Sequence, residues 1–558
     1  MTKNKARTIS VIEHVLTRLH EIGIRDVFGV PGDYSFPIDD AICRHPGLRH
    51  IGSCNELNAA YAADGYARIK GLAALSTTYG VGELSAINGI AGAYAEYLPI
   101  FHLVGMPPMS MQETNRIVHH TLGNGKFDLF YQMVDPVVCA KAIMTPENCA
   151  AETERLIAAA IYHRRPVYMV FPADYANMPV VNHAEPISLP KSDPEVLDAI
   201  INKILQKLSK AKKACILPGI IVSRCGLQEQ ATLFVDRSGL PFATMFMDKG
   251  VLSETHPHYM GMYDGRLMNE KIRRYVEECD CIISIGAILT DISTGAFTAC
   301  IDPARHIRIN HHSVQIAHAC YSHVEMQDVL EALNNSLGAT KITTLAAWPI
   351  EHQLDESVGA ADDRISAEYL YPRWQEMIQA NDIVIAETGT VSMGLGFAAM
   401  PEGSSYQNQG LWCSIGWATP AAFGAAMAAP ERRLILITGE GAHQISTQEI
   451  SQFQRNGLKP IIFVVNNQGY LTERILCSDP EIEYNDVALW NYAKLPQALG
   501  CEGWLTSQVT TCGELDMAIK AAEYHHSAAY IEVVTDKFVT PLLARRIQEA
   551  KASFYSAA

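Results

Sequence analysis

Two segments carry residues whose types and spacing suit phosphate and metal chemistry. The first, Leu434-Ile-Leu-Ile-Thr-Gly-Glu-Gly-Ala-His443, is an apolar run ending in Glu440 between Gly439 and Gly441. The second, Ile461-Ile-Phe-Val-Val-Asn-Asn-Gln-Gly-Tyr470, ends in Asn467 and Gly469. Read as parallel strands, both deliver their loops side by side to the carboxyl edge of one sheet. A carboxylate (Glu440), an amide oxygen (Asn467) and a backbone carbonyl (Gly469) suit Mg²⁺, with phosphate and water completing its octahedron. Glycines let backbone approach a phosphate closely. Taken singly, each segment reads equally well as a glycine-rich turn at a strand end.

Joined at a separation of 27 residues, the two resemble the thiamine diphosphate signature, Gly-Asp-Gly followed by Asn-Asn, with Glu440 where the family usually has Asp. The added methylene could be absorbed by a shifted loop or could loosen the metal, because Mg²⁺ tolerates poor geometry badly. Asn55-Glu-Leu-Asn-Ala59 opens a helix, where an acid is ordinarily a solvated first-turn residue. The resemblance implies that Glu56 shares a proton with the pyrimidine ring of the cofactor, work suited to a carboxyl of raised pKa. Leu411-Trp-Cys-Ser-Ile-Gly-Trp417 resembles the loop that bends the cofactor, which implies Ile415 as a wedge, the Cys413 carbonyl as an acceptor and Ser414 beside them. The same resemblance puts Thr388, Gly389, Thr390, Gly439, Gly441, Ala442, His443 and Tyr470 around the cofactor.

Three further motifs narrow the resemblance. Asp33 follows a strand in Gly29-Val-Pro-Gly-Asp33, His119 and His120 are adjacent in a polar loop, and Glu473 stands six residues past Asn467. Alone, Asp33 reads as a turn residue and the histidines as solvated surface. Together they resemble the acid and His-His set of the pyruvate and indolepyruvate decarboxylases, which implies proton transfer near neutral pH during release of an aldehyde from a 2-keto acid. The likeness further implies a substrate pocket of Thr290, Thr388, Ser392, Met393, Thr472, Leu476, Leu542 and Leu543. Thr290 and Ser392 replace bulky aromatics of pyruvate-specific relatives, so longer aliphatic, branched or aromatic keto acids are expected substrates. Because the family joins its two sets of site residues across a subunit interface, a homodimer is the implied minimum and a homotetramer the expected assembly. A carboligase of acetolactate synthase type and a catalytically silent paralogue are the alternatives.

The elements that position these residues alternate along the chain: short β-branched runs separated by amphipathic stretches, the pattern of parallel sheets covered by helices. The expected fold is α/β with three consecutive domains, each a parallel sheet flanked by helices. These are an N-terminal pyrimidine-binding domain at 1–180, a Rossmann-like central domain at 195–340 and a C-terminal diphosphate-binding domain at 362–558. The central block lacks a GxGxxG fingerprint followed by a ribose-binding acid, so dinucleotide binding there is weakly supported. Pro179 to Pro194 and Gly338 to Ser366 read as linkers. With 44 Lys and Arg against 60 Asp and Glu, the net charge of −16 argues against nucleic acid or anionic membrane as a main partner. Fourteen scattered Cys without CxxC pairs, no apolar leader behind Met1, and Gly and Pro breaking the long apolar stretch after Gly403 point to a reduced, cytoplasmic protein.

Overall fold

The computed structural model describes residues 9–337, 347–351, 354–525 and 527–551. Part of the stretch read as the second linker therefore lies outside the described residues. The chain forms two compact units: residues through Leu189 with Thr419–Pro430 and Ser446–Leu458, and Pro190–Ala418 with Glu431–Ile445 and the chain from Lys459 onward.

The first unit is built on six parallel strands: β1 (Asp26–Gly29), β2 (Arg49–Gly52), β3 (Ala73–Thr77), β4 (Ile100–Met106), β5 (Ala140–Ile143) and β6 (Val167–Pro172). Their order is β2-β1-β3-β4-β6-β5. Every residue of β1, β3, β4 and β6 is buried, as expected of strands covered on both faces. The helix Glu56–Lys70 crosses the helix Ala418–Ala428 backbone to backbone. A Cβ on Gly65 would stand 2.0 Å from the Ala421 carbonyl oxygen, and one on Gly424 1.8 Å from that of Ala62.

The second unit holds two sheets. The central sheet comprises β7 (Ala214–Pro218), β8 (Phe242–Thr244), β9 (Tyr259–Met262), β10 (Cys281–Ile285), β11 (His306–Asn310), β12 (Ser313–Ile316) and β13 (Ala319–Ser322). It runs in the order β13-β12-β11-β10-β7-β8-β9, and β12 and β13 are antiparallel, so its parallel core ends in a hairpin. The C-terminal sheet comprises β14 (Ile383–Ala386), β15 (Ser405–Gln407), β16 (Leu434–Gly439), β17 (Ile461–Asn466), β18 (Leu505–Val509) and β19 (Ala529–Val534). All six are parallel, in the order β15-β14-β16-β17-β19-β18. Trp374 and Phe463 meet edge to face at 5.6 Å beneath it, in a core with Val384, Ile435 and Ile531. Among the described residues no helix is long and apolar enough to cross a membrane.

Candidate active site

β16 and β17 are neighbours with Gly439 opposite Val465, so their loops do lie side by side. Glu440 begins the helix Glu440–Ser446, and its carboxyl reaches across to the second loop. There Oε1 accepts the backbone N–H groups of Asn467 at 3.1 Å and Gly469 at 2.8 Å. Burial pushes the Glu440 carboxyl up to about 7 against the pull of those N–H groups. The Asn467 amide end facing Glu440 lies 3.2 and 3.3 Å from the two carboxylate oxygens and 2.9 Å from the Gly469 carbonyl oxygen. A nitrogen there donates to them; an oxygen there joins them as a ligand set for a hard cation.

These loops form one wall of a cavity of about 310 Å³, within the usual range for a small-ligand site. A methyl group on Gly439 would meet nothing within 4 Å, so space is left beside the carboxylate. Gly441, in contrast, packs on Tyr470, whose ring would lie 2.4 Å from an added Cβ. Across the cavity, Gly389 (φ +102°) leads into the helix Thr390–Leu395. Glu387 is buried beneath it and accepts the N–H groups of Thr388 at 3.1 Å and Ala418 at 3.3 Å. Burial pushes that carboxyl up to about 7 as well. The loop before Trp417 holds Cys413 at φ +54°, a sparsely populated conformation for a residue with a side chain, next to Ile415 in the wall. Open space beside Gly439, the Glu440 carboxylate, the Gly469 carbonyl and, with its amide turned over, Asn467 fit a diphosphate cofactor with its cation.

Of the residues read from sequence, Thr388, Gly389, Thr390, Cys413, Ile415, Gly439, Glu440, Gly441, Ala442, Asn467, Gly469 and Tyr470 line this cavity. So do Ser392, Met393, Thr472, Glu473, Leu476 and Leu543. Of the residues read from sequence that belong to the same unit, four lie outside the lining. Thr290 is buried and caps a turn, its Oγ1 accepting the Ser293 N–H at 2.9 Å. Ser414 donates its N–H to Gln409 at 2.7 Å. His443 is wholly buried within 3.0 Å of the Tyr530 hydroxyl, and burial holds its pKa down to about 3. Leu542, first in the helix Leu542–Glu549, faces outward while Leu543 turns in. Sequence reasoning missed Phe246, Asp264, Leu267, Ile292 and Ala296 of the central block, together with Asn408, Gln409 and Ile547. The ends of β8 and β9 were the available signal for the first three, but both strands are too short to stand out.

The first unit brings together the second set. His119 Nε2 lies 2.6 Å from Asp33 Oδ2, and His120 Nδ1 lies 4.0 Å from Oδ1. The His119 ring stacks on Tyr34 at 4.9 Å, and the two imidazoles meet edge to face at 4.7 Å. Gly80 makes room for this turn, since a Cβ there would stand 2.2 Å from the His120 carbonyl oxygen. Glu56 starts its helix behind the Asn55 cap, half-buried, with Oε1 3.1 Å from where a Gly82 Cβ would be.

Three family models match the chain in order. The thiamine pyrophosphate enzyme N-terminal TPP binding domain covers residues 9–128, the central domain 201–335 and the C-terminal TPP binding domain 387–533. The fold is thus that of a thiamine diphosphate enzyme. A Mycobacterium smegmatis protein described as a thiamin diphosphate-dependent enzyme has the same fold, with a TM-score of 0.75 at 19% identity over 95% of this chain and 100% of that one. Two relatives named alpha-keto-acid decarboxylase are similar along nearly the whole chain. That of Mycobacterium leprae is 36% identical over 547 residues, 97% of this chain and 96% of the relative. That of Mycobacterium avium is 35% identical over 543 residues, 96% of this chain and 95% of the relative. The chain belongs to the thiamine diphosphate-dependent 2-keto acid decarboxylase family.

Proposed function

We propose that this protein converts 2-keto acids to aldehydes and CO₂ non-oxidatively, using thiamine diphosphate and Mg²⁺, with breadth toward longer aliphatic, branched and aromatic substrates. One observation carries the reading: a single cavity is lined both by Glu440, Asn467 and Gly469 and by apolar Phe246, Leu267, Ile292 and Leu543. When bound, thiamine diphosphate supplies the electron sink for the pair left as CO₂ departs. Glu440, the Asn467 side chain and the Gly469 carbonyl would hold Mg²⁺ and, through it, the diphosphate. Ile415 and the Cys413 carbonyl would shape the bound cofactor, and Glu56 would exchange a proton with its pyrimidine ring. Apolar walls exclude water and favour the step in which the substrate carboxylate loses its charge.

Proton delivery and aldehyde release fall to Asp33, His119, His120 and Glu473. The short contact between His119 Nε2 and Asp33 Oδ2 puts the ring proton on Nε2. Glu473 lines the cavity, whereas Asp33, Glu56, His119 and His120 belong to the other unit. The family resemblance supports their being supplied by a second copy, so the proposed active form is a homodimer paired into a tetramer, cytoplasmic, with domains divided near 180 to 195 and 340 to 362.

The test is aldehyde formation by the holoenzyme across pyruvate, 2-ketoisovalerate, a longer linear keto acid, phenylpyruvate and indolepyruvate, followed as NADH loss through a coupled alcohol dehydrogenase. Turnover that grows with substrate size and disappears on chelation of Mg²⁺ is expected. Absence of turnover on all five, with the cofactor unbound, would overturn the reading in favour of a silent paralogue.

A further inference from the structure

Gln468 stands between Asn467 and Gly469, the two residues whose N–H groups meet Glu440, and its backbone is left-handed at φ +62°. A residue with a side chain seldom holds that conformation unless its surroundings impose it. Gln468 is exposed, so burial of its side chain does not impose it. Its carbonyl, however, has a fixed partner, because Arg474 Nη2 donates to it at 2.9 Å.

Arg474 follows Glu473 in the helix Leu471–Leu476, and its side chain is wholly buried without lining the cavity. A guanidinium survives burial only where it is paired and hydrogen-bonded. Nη1 donates to the Pro480 carbonyl at 2.9 Å, and Nη2 reaches Asp486 Oδ1 at 2.5 Å as well as the Gln468 carbonyl. Pro480 and Asp486 belong to the segment after the helix, which is tied to the turn a second time: Tyr470 donates its N–H to the Asn485 carbonyl at 2.8 Å. Asn485 is itself buried, and its Nδ2 donates to the Pro480 carbonyl at 3.3 Å. Gly469 has no slack in this arrangement, since a Cβ there would stand 2.1 Å from the Asn485 carbonyl oxygen and 2.6 Å from Arg474 Nη2. The turn is therefore held at both ends of its polarity, by Arg474 through the Gln468 carbonyl and by Glu440 through the Asn467 and Gly469 N–H groups.

We propose that Arg474 is a positioning residue for the cation: its planar fork, neutralised by Asp486, fixes the Asn467–Gly469 turn in the left-handed conformation that presents the turn to Mg²⁺. This rests on the thiamine diphosphate reading of the cavity and adds to it a residue outside the ligand set. Asp486 serves twice, pairing a buried charge and offsetting a positive charge placed next to a cation site. Mg²⁺ demands a near-ideal octahedron whereas Ca²⁺ accepts looser geometry, so a loosened turn penalises Mg²⁺ more.

Calorimetric titration of the full chain with Mg²⁺ and with Ca²⁺, at fixed excess thiamine diphosphate, tests this on the native protein, Arg474→Met, Arg474→Lys and Asp486→Asn. The unfolding temperature of each without cofactor is measured beside it. Arg474→Met should weaken Mg²⁺ binding on the order of 10- to 100-fold, the scale of a hydrogen bond from a charged donor, and Ca²⁺ binding by less. Arg474→Lys keeps the charge but contacts as a point rather than a fork, and should fall between Met and the native protein. Asp486→Asn alters a side chain that is 52% exposed and should weaken Mg²⁺ binding in the same direction, so it decides the matter if Arg474→Met does not fold. Unchanged Mg²⁺ affinity in the folded variants, with or without a lower unfolding temperature, or an equal loss for both cations, overturns the proposal and leaves Arg474 a purely structural role. A native protein that binds neither cation with thiamine diphosphate instead brings down the cofactor reading and this inference with it.

Discussion

Gly439→Ala separates space that the fold needs from space that the cofactor needs. Gly439 ends β16, lines the cavity, and has its φ outside the left-handed region, so alanine fits its backbone. Nothing lies within 4 Å of the added methyl group, so the cofactor-free fold loses no packing. Removing a glycine from the unfolded chain should even stabilise it by about 0.4–1 kcal/mol. If the diphosphate occupies that space, the methyl group overpacks the complex by about 1–3 kcal/mol. At about 1.4 kcal/mol per tenfold, thiamine diphosphate should then bind roughly 5- to 150-fold more weakly. Titration of the cofactor at fixed Mg²⁺ measures that change, and thermal unfolding without ligand measures the other. Gly441→Ala is the contrast, because its methyl group collides with the Tyr470 ring at 2.4 Å and should lower the unfolding temperature before any cofactor is added. Unaltered cofactor affinity in Gly439→Ala would refute the reasoning, since the diphosphate would then pass elsewhere.

Two further outcomes are expected. Ser392 is buried in the cavity wall, with its hydroxyl donating to the Gly389 carbonyl at 2.9 Å, and Ser392→Trp should depress kcat/KM on long keto acids more than on pyruvate; equal losses would remove it from the substrate pocket. Asp248 accepts the Ile220 N–H at 2.7 Å through Oδ1 while Oδ2 has no partner among the described residues, and burial pushes its carboxyl up to about 8. With the folded pKa above the unfolded one, the native state holds the extra proton between about pH 4 and pH 8, so stability falls as pH rises through that window. Asp248→Asn should therefore gain on the native protein by several kcal/mol between pH 5 and pH 8 in denaturant unfolding, and a pH-independent difference would contradict the assignment.

The parallel cores were legible in the sequence because their strands are buried on both faces and read as unbroken Ile, Val and Leu runs, as β16 and β17 do. The strands that escaped notice are short or partly exposed: β2 is Arg-His-Ile-Gly, and β15 is Ser-Tyr-Gln. The β12 and β13 hairpin turns through Ala317 at φ +55°, without the Asn-Gly or Asp-Gly that would announce such a turn. The site divides in the same way. Glu440, Asn467 and Gly469 are readable because each sits at a strand end within a local motif. Asp264 and Phe246 are brought to the cavity by tertiary packing that leaves no local trace. His443 was read as a cofactor neighbour from its place beside Gly441 and Ala442, but its ring is buried toward Tyr530 of β19.

Glu440 is where the chain departs most visibly from its family's pattern, and the geometry explains how the longer acid can serve. An aspartate at the head of the helix would leave its carboxylate nearer its own loop. The extra methylene carries the Glu440 carboxylate to the opposite loop, where one oxygen binds the N–H groups of both Asn467 and Gly469. That bridge ties together the loops that follow β16 and β17. With its nitrogen turned inward, the Asn467 amide donates to the Gly469 carbonyl oxygen at 2.9 Å and to the two carboxylate oxygens at 3.2 and 3.3 Å, so the amide must turn over before its oxygen can face a cation. The longer acid therefore depends on the register of β16 and β17, which sets Gly439 opposite Val465 and so the two loops side by side.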